Sequence, residues 1–115
     1  TQKRLKDAGL PWERAKAFEG SVVFSHFVEA PASLVDLELE LYVDGERRQR
    51  CGPWKMLYKP HVTLEELRSF IPLEDDDIVM TGTPSGVGPV ERDALFEARL
   101  LQGRTELVSA SWRAI

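Results

Sequence analysis

Residues 35–51 read VDLELELYVDGERRQRC, and this stretch decides the fold. Its first nine residues alternate strictly between apolar and polar side chains, which is typical of a half-buried β-strand. Asp44 and Gly45 follow, and this pair favours a two-residue type I′ turn. The chain then returns through Glu46–Cys51 as a second strand. The sequence therefore predicts an antiparallel β-hairpin.

Further strands are predicted by short apolar runs outside this hairpin. They lie at residues 22–28, 78–81, 95–101 and 106–112. For residues 22–28 the pattern leaves open a mostly buried strand or an extended segment. The last two runs are expected to pair around a turn at residues 102–104. Strands therefore dominate the predicted structure.

Two short helices are also predicted. The chain begins in a helical pattern that ends at Gly9, and we expect the first turns of this helix to lie before Thr1. Residues 62–70 predict the second helix, in which Thr63 would be the N-cap and Glu66 would complete a capping box. No internal repeat accompanies these elements.

Length and composition limit the class of protein. At 115 residues the chain is one domain or part of one, and 43% hydrophobic with 30% charged residues is ordinary for a soluble globular chain. A net charge of −4 argues against a nucleic-acid partner. The single cysteine, Cys51, predicts a reducing compartment, and no apolar run reaches the roughly 20 residues of a membrane span. We expect a cytoplasmic protein with no membrane partner.

A glycine-rich segment follows the apolar run at residues 78–80. Residues 81–89 read TGTPSGVGP. Glycines permit positive φ and close approach of the backbone to a ligand, while prolines fix the path of the chain. Composition alone leaves two interpretations open: a tight connection between strands, or a loop that binds a ligand.

Three polar residues are candidates for site chemistry. Glu38 and Glu40 point to the same side of the predicted strand, so they could share a hard cation such as Mg²⁺. The simpler interpretation is favoured: they form the solvated face of an amphipathic strand, since nothing nearby completes a metal site. Lys16 follows the helix break and could neutralise a carboxylate ligand, although such a lysine is more often a surface residue.

Three segments together resemble the C-terminal part of the fumarylacetoacetate hydrolase family. They are residues 9–21 (GLPWERAKAFEGS), 41–49 (LYVDGERRQ) and 73–90 (LEDDDIVMTGTPSGVGPV). The resemblance is strongest to the branch of acylpyruvate hydrolases, oxaloacetate decarboxylases and hydroxyheptadienedioate isomerases. It implies an α+β fold, mainly β, with a mixed β-roll or β-sandwich and two short helices. Residues 1–115 would form part of the family's catalytic domain.

The resemblance also implies a function. The intact protein would hydrolyse, decarboxylate or isomerise small 2-oxo acids through a metal-stabilised enolate, in the catabolism of aromatic compounds, and would be a homodimer. Its Mg²⁺ or Mn²⁺ would be bound by two glutamates of an E-x-E motif and one aspartate. These ligands belong upstream of Thr1, so the 115-residue chain alone is expected to be inactive. The alternative is a diverged fragment that acts only as a structural or interaction module.

Four residues match functional positions of the family. Lys16 corresponds to the catalytic lysine beside the metal, where it neutralises developing charge. Gly82 and Thr83 correspond to the positions that hold the substrate carboxylate through backbone N–H and hydroxyl groups. Gln2 corresponds to a glutamine that contacts the substrate. The resemblance therefore implies substrate binding by Gln2, Lys16, Gly82 and Thr83.

Two departures from the family pattern concern the backbone. Asp76 and Arg92 stand where the family has turn glycines. Each change costs about 1 kcal/mol if φ is positive at that position. Such departures are compatible with relaxed constraint on this chain.

Overall fold

The computed structural model describes residues 2–115. Four strands form one antiparallel sheet in the order β2-β1-β3-β4. The strands are β1 (Leu37–Val43), β2 (Glu46–Cys51), β3 (Leu95–Gln102) and β4 (Thr105–Arg113). The helices are α1 (Gln2–Asp7) and α2 (Pro60–Arg68), with single 3₁₀ turns at Glu13–Ala15 and Pro53–Lys55. The predicted α+β class, mainly β with two short helices, is confirmed.

The predicted hairpin is present and begins at Leu37. At its turn Asp44 has φ 50° and Gly45 has φ 80°, and both positive values are what a type I′ turn requires. Asp44 also bonds to the first residue of β3: its N–H donates to the Leu95 carbonyl, and its carboxylate accepts from the Leu95 N–H, both at 2.9 Å. The turn is thereby tied to the neighbouring strand. The pairing of β3 with β4 is also confirmed.

Alternation along the strands divides the sheet into two faces. We call one the apolar face; from β1 and β3 it carries Leu37, Leu39, Leu41, Val43, Phe96, Ala98 and Leu100. We call the other the polar face; it carries Glu38, Glu40, Tyr42, Arg47, Arg50 and Arg99. Parts of residues 53–63 and 81–89 lie beside the apolar face, because they line cavities together with its residues.

Helix α1 ends as its sequence predicts. Gly9 has φ 64°, its N–H donates to the Lys6 carbonyl at 3.0 Å, and the Leu10 N–H donates to the Leu5 carbonyl at 2.9 Å. These two bonds form a Schellman motif, which satisfies carbonyls that the last turn leaves open.

Helix α2 begins two residues earlier than predicted, and the predicted N-cap is wrong. The N-cap is Lys59, and Pro60 occupies the first helical turn. Proline suits that position because its fixed φ is helical and its missing N–H has no helical partner there. The Thr63 N–H instead donates to the Lys59 carbonyl inside the helix, at 3.2 Å. Within residues 2–115, no helix combines the length and apolar character needed to cross a membrane.

The strand predicted at residues 78–81 is absent, and at residues 22–28 the strand alternative is excluded, which leaves the extended segment. Residues 22–28 and 78–81 pair with no strand in the described part of the chain. The expectation that residues 22–28 are mostly buried is also wrong, since Phe27 is 76% exposed. A strand needs a neighbour along its edge for its backbone bonds, and none of the four strands lies beside either segment.

A positive φ, the condition for a cost at the two lost glycines, is met at one of the two positions. Asp76 has φ 73°, in the left-handed region that favours glycine. Arg92 does not lie in that region; the next residue, Asp93, does, with φ 66°. Aspartate tolerates a positive φ better than most residues. A positive φ at Asp93 therefore costs less than the same φ would cost at Arg92.

Candidate functional site

The glycine-rich loop, residues 81–89, lies over the apolar face of the sheet. It separates two cavities of about 670 Å³ each. The first is bounded by Leu41 and Phe96 of the sheet and by residues 86–89, and the second by Leu39, Leu100 and residues 81–85. Thr83 lines both. Volumes of this size suit small-molecule ligands.

The loop is almost entirely exposed. Gly82 and Gly86 have φ of 119° and 101°, and Pro84 is the only residue of the loop that is not exposed. Within residues 2–115, none of the loop's N–H groups donates a hydrogen bond to another part of the protein. Consecutive N–H groups in such a conformation form a concavity that binds anions. The Thr83 hydroxyl adds a further donor beside them.

The loop is fastened to the sheet at β2. The Gln49 side-chain amide donates to the Pro84 carbonyl at 3.0 Å. Gly86 lies so close to the Arg48 carbonyl oxygen that a Cβ at this position would overlap it. The backbone of the loop is therefore held against β2 at Pro84 and Gly86.

On the polar face of the sheet, Glu40 is one of the few buried residues. It is 8% exposed, and its carboxylate accepts hydrogen bonds from the Tyr42 hydroxyl and the Arg47 guanidinium, both at 2.9 Å. The interpretation of this strand face as solvated is therefore wrong at Glu40. Long side chains on either side of Glu40 cover it, because Arg50 and Arg99 are its cross-strand partners.

Glu38, two residues earlier, is also ion-paired. The Arg50 guanidinium donates to its carboxylate at 2.7 Å. This hydrogen bond lowers the pKa of Glu38 below its ordinary value, and the same contact raises the pKa of Arg50. Both glutamates are thus engaged by arginines within the sheet.

These observations decide whether the described residues fit a metal site. Within residues 2–115, no group of three or more His, Cys, Asp or Glu side chains is placed to hold a metal ion. Glu38 and Glu40 already pair with guanidinium groups, which a divalent cation would have to displace. The described part of the chain therefore does not fit a Mg²⁺ or Mn²⁺ site by itself.

Known proteins share this sheet and loop. The family model described as "Fumarylacetoacetate (FAA) hydrolase C-terminal" matches residues 1–110. The chain belongs to the fumarylacetoacetate hydrolase family. The resemblance carried by residues 9–21, 41–49 and 73–90 is thereby confirmed for the family.

Similar members of the fumarylacetoacetate hydrolase family include two curated enzymes. The chain is 40% identical over 93 residues to oxaloacetate tautomerase YcgM of Escherichia coli K12, a match of 78% of this chain and 42% of the relative. It is 39% identical over 99 residues to the human mitochondrial oxaloacetate tautomerase FAHD1, 84% of this chain and 45% of the relative. The chain thus spans less than half the length of either relative.

A solved structure shares the fold. The yeast protein ynq8, a fumarylacetoacetate hydrolase family protein, superposes with a TM-score of 0.89 at 31% identity. The match covers 98% of this chain and 50% of the yeast chain. The described fold therefore corresponds to half of that family structure.

The structure brings together two of the four residues predicted to bind substrate. Gly82 and Thr83 lie at the cavities, whereas Gln2 and Lys16 line neither of them. Gln2 begins α1. The Lys16 ammonium lies 5.1 Å from the ring centroid of Trp12, a cation–π contact. The roles of all four residues stay predictions.

Gln49 is the residue that the sequence reasoning missed. It pairs with Leu41 across the hairpin, so its position belongs to the apolar face. A polar side chain at an apolar position of an alternating strand is a signal, because a buried amide needs a hydrogen-bond partner. The partner is Pro84, 35 residues away, which no local pattern identifies.

Proposed function

We propose that loop 81–89 holds the carboxylate of a small 2-oxo acid. The observation that carries this proposal is the set of N–H groups in this exposed loop that have no acceptor in the described part of the chain. Such groups favour an anion, and a cavity of about 670 Å³ adjoins them on each side. The Thr83 hydroxyl would donate to the same carboxylate. Each donor is fixed before the ligand arrives, which lowers the entropic cost of binding.

The reaction we propose for the intact protein is proton transfer between the keto and enol forms of an oxaloacetate-like acid. Two relatives at 39–40% identity are named oxaloacetate tautomerases, which supports this choice over hydrolysis or decarboxylation of acylpyruvates. The loop would orient the substrate through its carboxylate and offset the negative charge that grows as the enolate forms. Lys16 as a neutralising group, the divalent metal, the homodimer and aromatic catabolism stay predictions from the resemblance. The cytoplasmic location stays a prediction from composition.

A second candidate function is that of a structural module that packs against another polypeptide. The chain exposes 9615 Å², whereas a folded monomer of 13.0 kDa exposes about 6,300 Å². Its radius of gyration is 16.0 Å, against about 13 Å for a compact domain of this length. Ala94, at 6% exposed, is the only buried hydrophobic residue among residues 2–115. These values support a chain that completes its core with a partner.

The carboxylate proposal is tested by titrating the purified chain with oxalate, an unreactive analogue of a 2-oxo acid, and following backbone amides by NMR. We expect shifts at Gly82–Gly88 and none at Gly103, in the distant β3–β4 turn. Thr83→Val removes one hydroxyl donor at nearly constant shape and should weaken binding about tenfold. Thr105→Val is the matched control and should bind normally. Equal affinity of the wild-type chain and Thr83→Val would remove Thr83 from the site.

Turnover separates the two candidate functions. Oxaloacetate tautomerisation is followed by the ultraviolet absorbance of the enol, with and without Mg²⁺. We expect the 115-residue chain alone to bind oxalate without turnover, as a wall of a site completed by the other half of the family fold. Turnover by the chain alone would contradict the module as its sole function. Absence of oxalate binding would contradict the carboxylate-holding loop.

A further inference from the structure

The loop is fastened to the sheet at an irregularity in β2. In the β1–β2 ladder Leu41 pairs with Gln49 and Tyr42 pairs with Arg47, so Arg48 is an extra residue without a partner on β1. This is a β-bulge, which bends a strand and redirects its side chains, and bulges are frequent beside functional sites. Arg48 is the residue whose carbonyl meets Gly86 of the loop.

Contact between Gly86 and Arg48 requires glycine for two reasons. Gly86 has φ 101°, which side chains rarely permit. A Cβ here would also overlap the Arg48 carbonyl oxygen and lie 3.1 Å from the Gln49 side chain. The obstacle is backbone, so it cannot rotate away. The bulge and the glycine together bring two main chains into direct contact.

The Gln49 amide adds a directed bond to this contact. It donates to the Pro84 carbonyl at 3.0 Å from a half-buried position on the apolar face. The peptide between Pro84 and Ser85 is planar and trans, so its N–H points away from its carbonyl. Since the carbonyl points at β2, the Ser85 N–H must point away from β2. The bond therefore sets the direction of one of the loop's free donors.

The same bond also constrains the preceding residue. Thr83 comes directly before a proline, which restricts its backbone to extended conformations. Once the Pro84 carbonyl is held by Gln49, the backbone of Thr83 has little conformational freedom left, and this limits where its hydroxyl can lie. Gln49 thus acts on both sides of Pro84.

We propose that Gln49 is a positioning residue for the carboxylate-binding loop, which it holds in its binding conformation through the Pro84 carbonyl. This proposal rests on the proposed function, because it assigns to Gln49 a part of the affinity for a 2-oxo acid. Gln49 lines the first cavity, but in this role it affects binding through the loop and not through the ligand. It acts through Thr83, Pro84 and Ser85.

Gln49→Glu is the decisive variant. Near pH 7 the glutamate is ionised. Its carboxylate and the Pro84 carbonyl are then two acceptors that face each other, and the hydrogen bond is lost. The loop should detach, with oxalate affinity reduced about tenfold. Below the ordinary glutamate pKa of about 4.3 the protonated carboxyl is again a donor of nearly the same length. The ratio of variant to wild-type affinity should then return toward one. The ratio is used because protonation of oxalate affects both proteins equally and cancels.

Two controls accompany this variant. Gln102 makes the same kind of contact elsewhere, since its side-chain amide donates to the Ser33 carbonyl at 3.5 Å. Gln102→Glu should bind oxalate like the wild type near pH 7 and near pH 4. Gly86→Ala should also weaken binding near pH 7 but should not recover near pH 4, because its obstruction does not titrate. Circular dichroism checks that every variant keeps the sheet.

A measurement without ligand keeps this proposal separate from the proposed function. Amide ¹⁵N order parameters of Gly82–Gly88 near pH 7 should be about 0.85 in the wild-type chain and below about 0.6 in Gln49→Glu. If the wild-type chain binds no oxalate, the proposed function fails, while the order parameters still show whether Gln49 holds the loop. Unchanged order parameters near pH 7, or an affinity loss that persists near pH 4, would overturn the positioning role.

Discussion

The four-stranded sheet and the two long segments outside it, residues 9–36 and 69–94, are stabilised in different ways. The strands satisfy one another's backbone groups, and arginines of β2 pair with both glutamates of β1. The outer segments contain large apolar side chains that remain exposed, such as Phe27 and Val87, each at 76%. The contrast teaches that the strands are paired within this chain, whereas residues 2–115 leave the large apolar side chains of the outer segments exposed.

The largest predicted effect tests this difference directly. Glu40→Ala removes the acceptor of both Tyr42 and Arg47 and should lower the free energy of unfolding by about 1.5–3 kcal/mol, the range for hydrogen bonds to a charged group. Phe27→Ala, a substitution that costs about 3–5 kcal/mol in a core, should here cost less than about 1 kcal/mol. Urea unfolding followed by circular dichroism measures both.

The proposed difference between sheet and outer segments is contradicted if Phe27→Ala costs more stability than Glu40→Ala. A large cost for Phe27→Ala would mean that residues 22–28 are covered in solution, and sedimentation of the wild-type chain would then show self-association. A negligible cost for Glu40→Ala would mean that the polar face contributes nothing to the stability of the sheet.

A smaller effect depends on pH. Arg50 lowers the pKa of Glu38 in the folded chain, so the ionised carboxylate is favoured by folding. This contribution is complete above the unfolded pKa, near 4.5, and is lost as pH falls through the lower folded value. Arg50→Met removes the partner, so its stability should fall less steeply in this acidic range. Unfolding midpoints of both proteins across that range measure the difference, and parallel curves would exclude a role for this pair.

Much of the sheet was predictable because its information is local. Alternation in residues 35–43 identifies β1, and the pair Asp44-Gly45 identifies the turn, since both depend on neighbours in sequence. The prediction failed at residues 78–81, where an apolar run needs a partner strand that the described chain does not contain. It failed again at Glu40, whose burial comes from residues on the adjacent strands.

The candidate site divides in the same way. Glycines and prolines identify loop 81–89 from the sequence, because backbone freedom and rigidity belong to single residues. The attachment of this loop to Gln49 and Arg48 joins positions about 35 residues apart, and only the folded hairpin brings them together. Lys16 is a different case: its ammonium lies over Trp12, which is close in sequence, but the sequence pattern does not show this contact.

The smallest predicted effect comes from comparing the same substitution, aspartate to glycine, in the two regions. Asp76 in the outer segment has φ 73°, and Asp76→Gly should raise the free energy of unfolding by about 0.5 kcal/mol by relieving this conformation. Asp44 in the sheet turn has φ 50°, but its carboxylate accepts from the Leu95 N–H at 2.9 Å. Asp44→Gly should lower the free energy of unfolding by about 0.5–1 kcal/mol, since the lost hydrogen bond outweighs the relief.

The sign of the change is therefore expected to differ between two aspartates of similar φ, and urea unfolding of the two variants measures it. Asp44→Asn separates the two contributions, because an amide oxygen still accepts from Leu95 and asparagine tolerates positive φ. This variant should stay close to the wild-type chain. If Asp44→Gly instead stabilises the chain, backbone relief outweighs side-chain bonding in the sheet as well, and the distinction between the two regions does not extend to their turns.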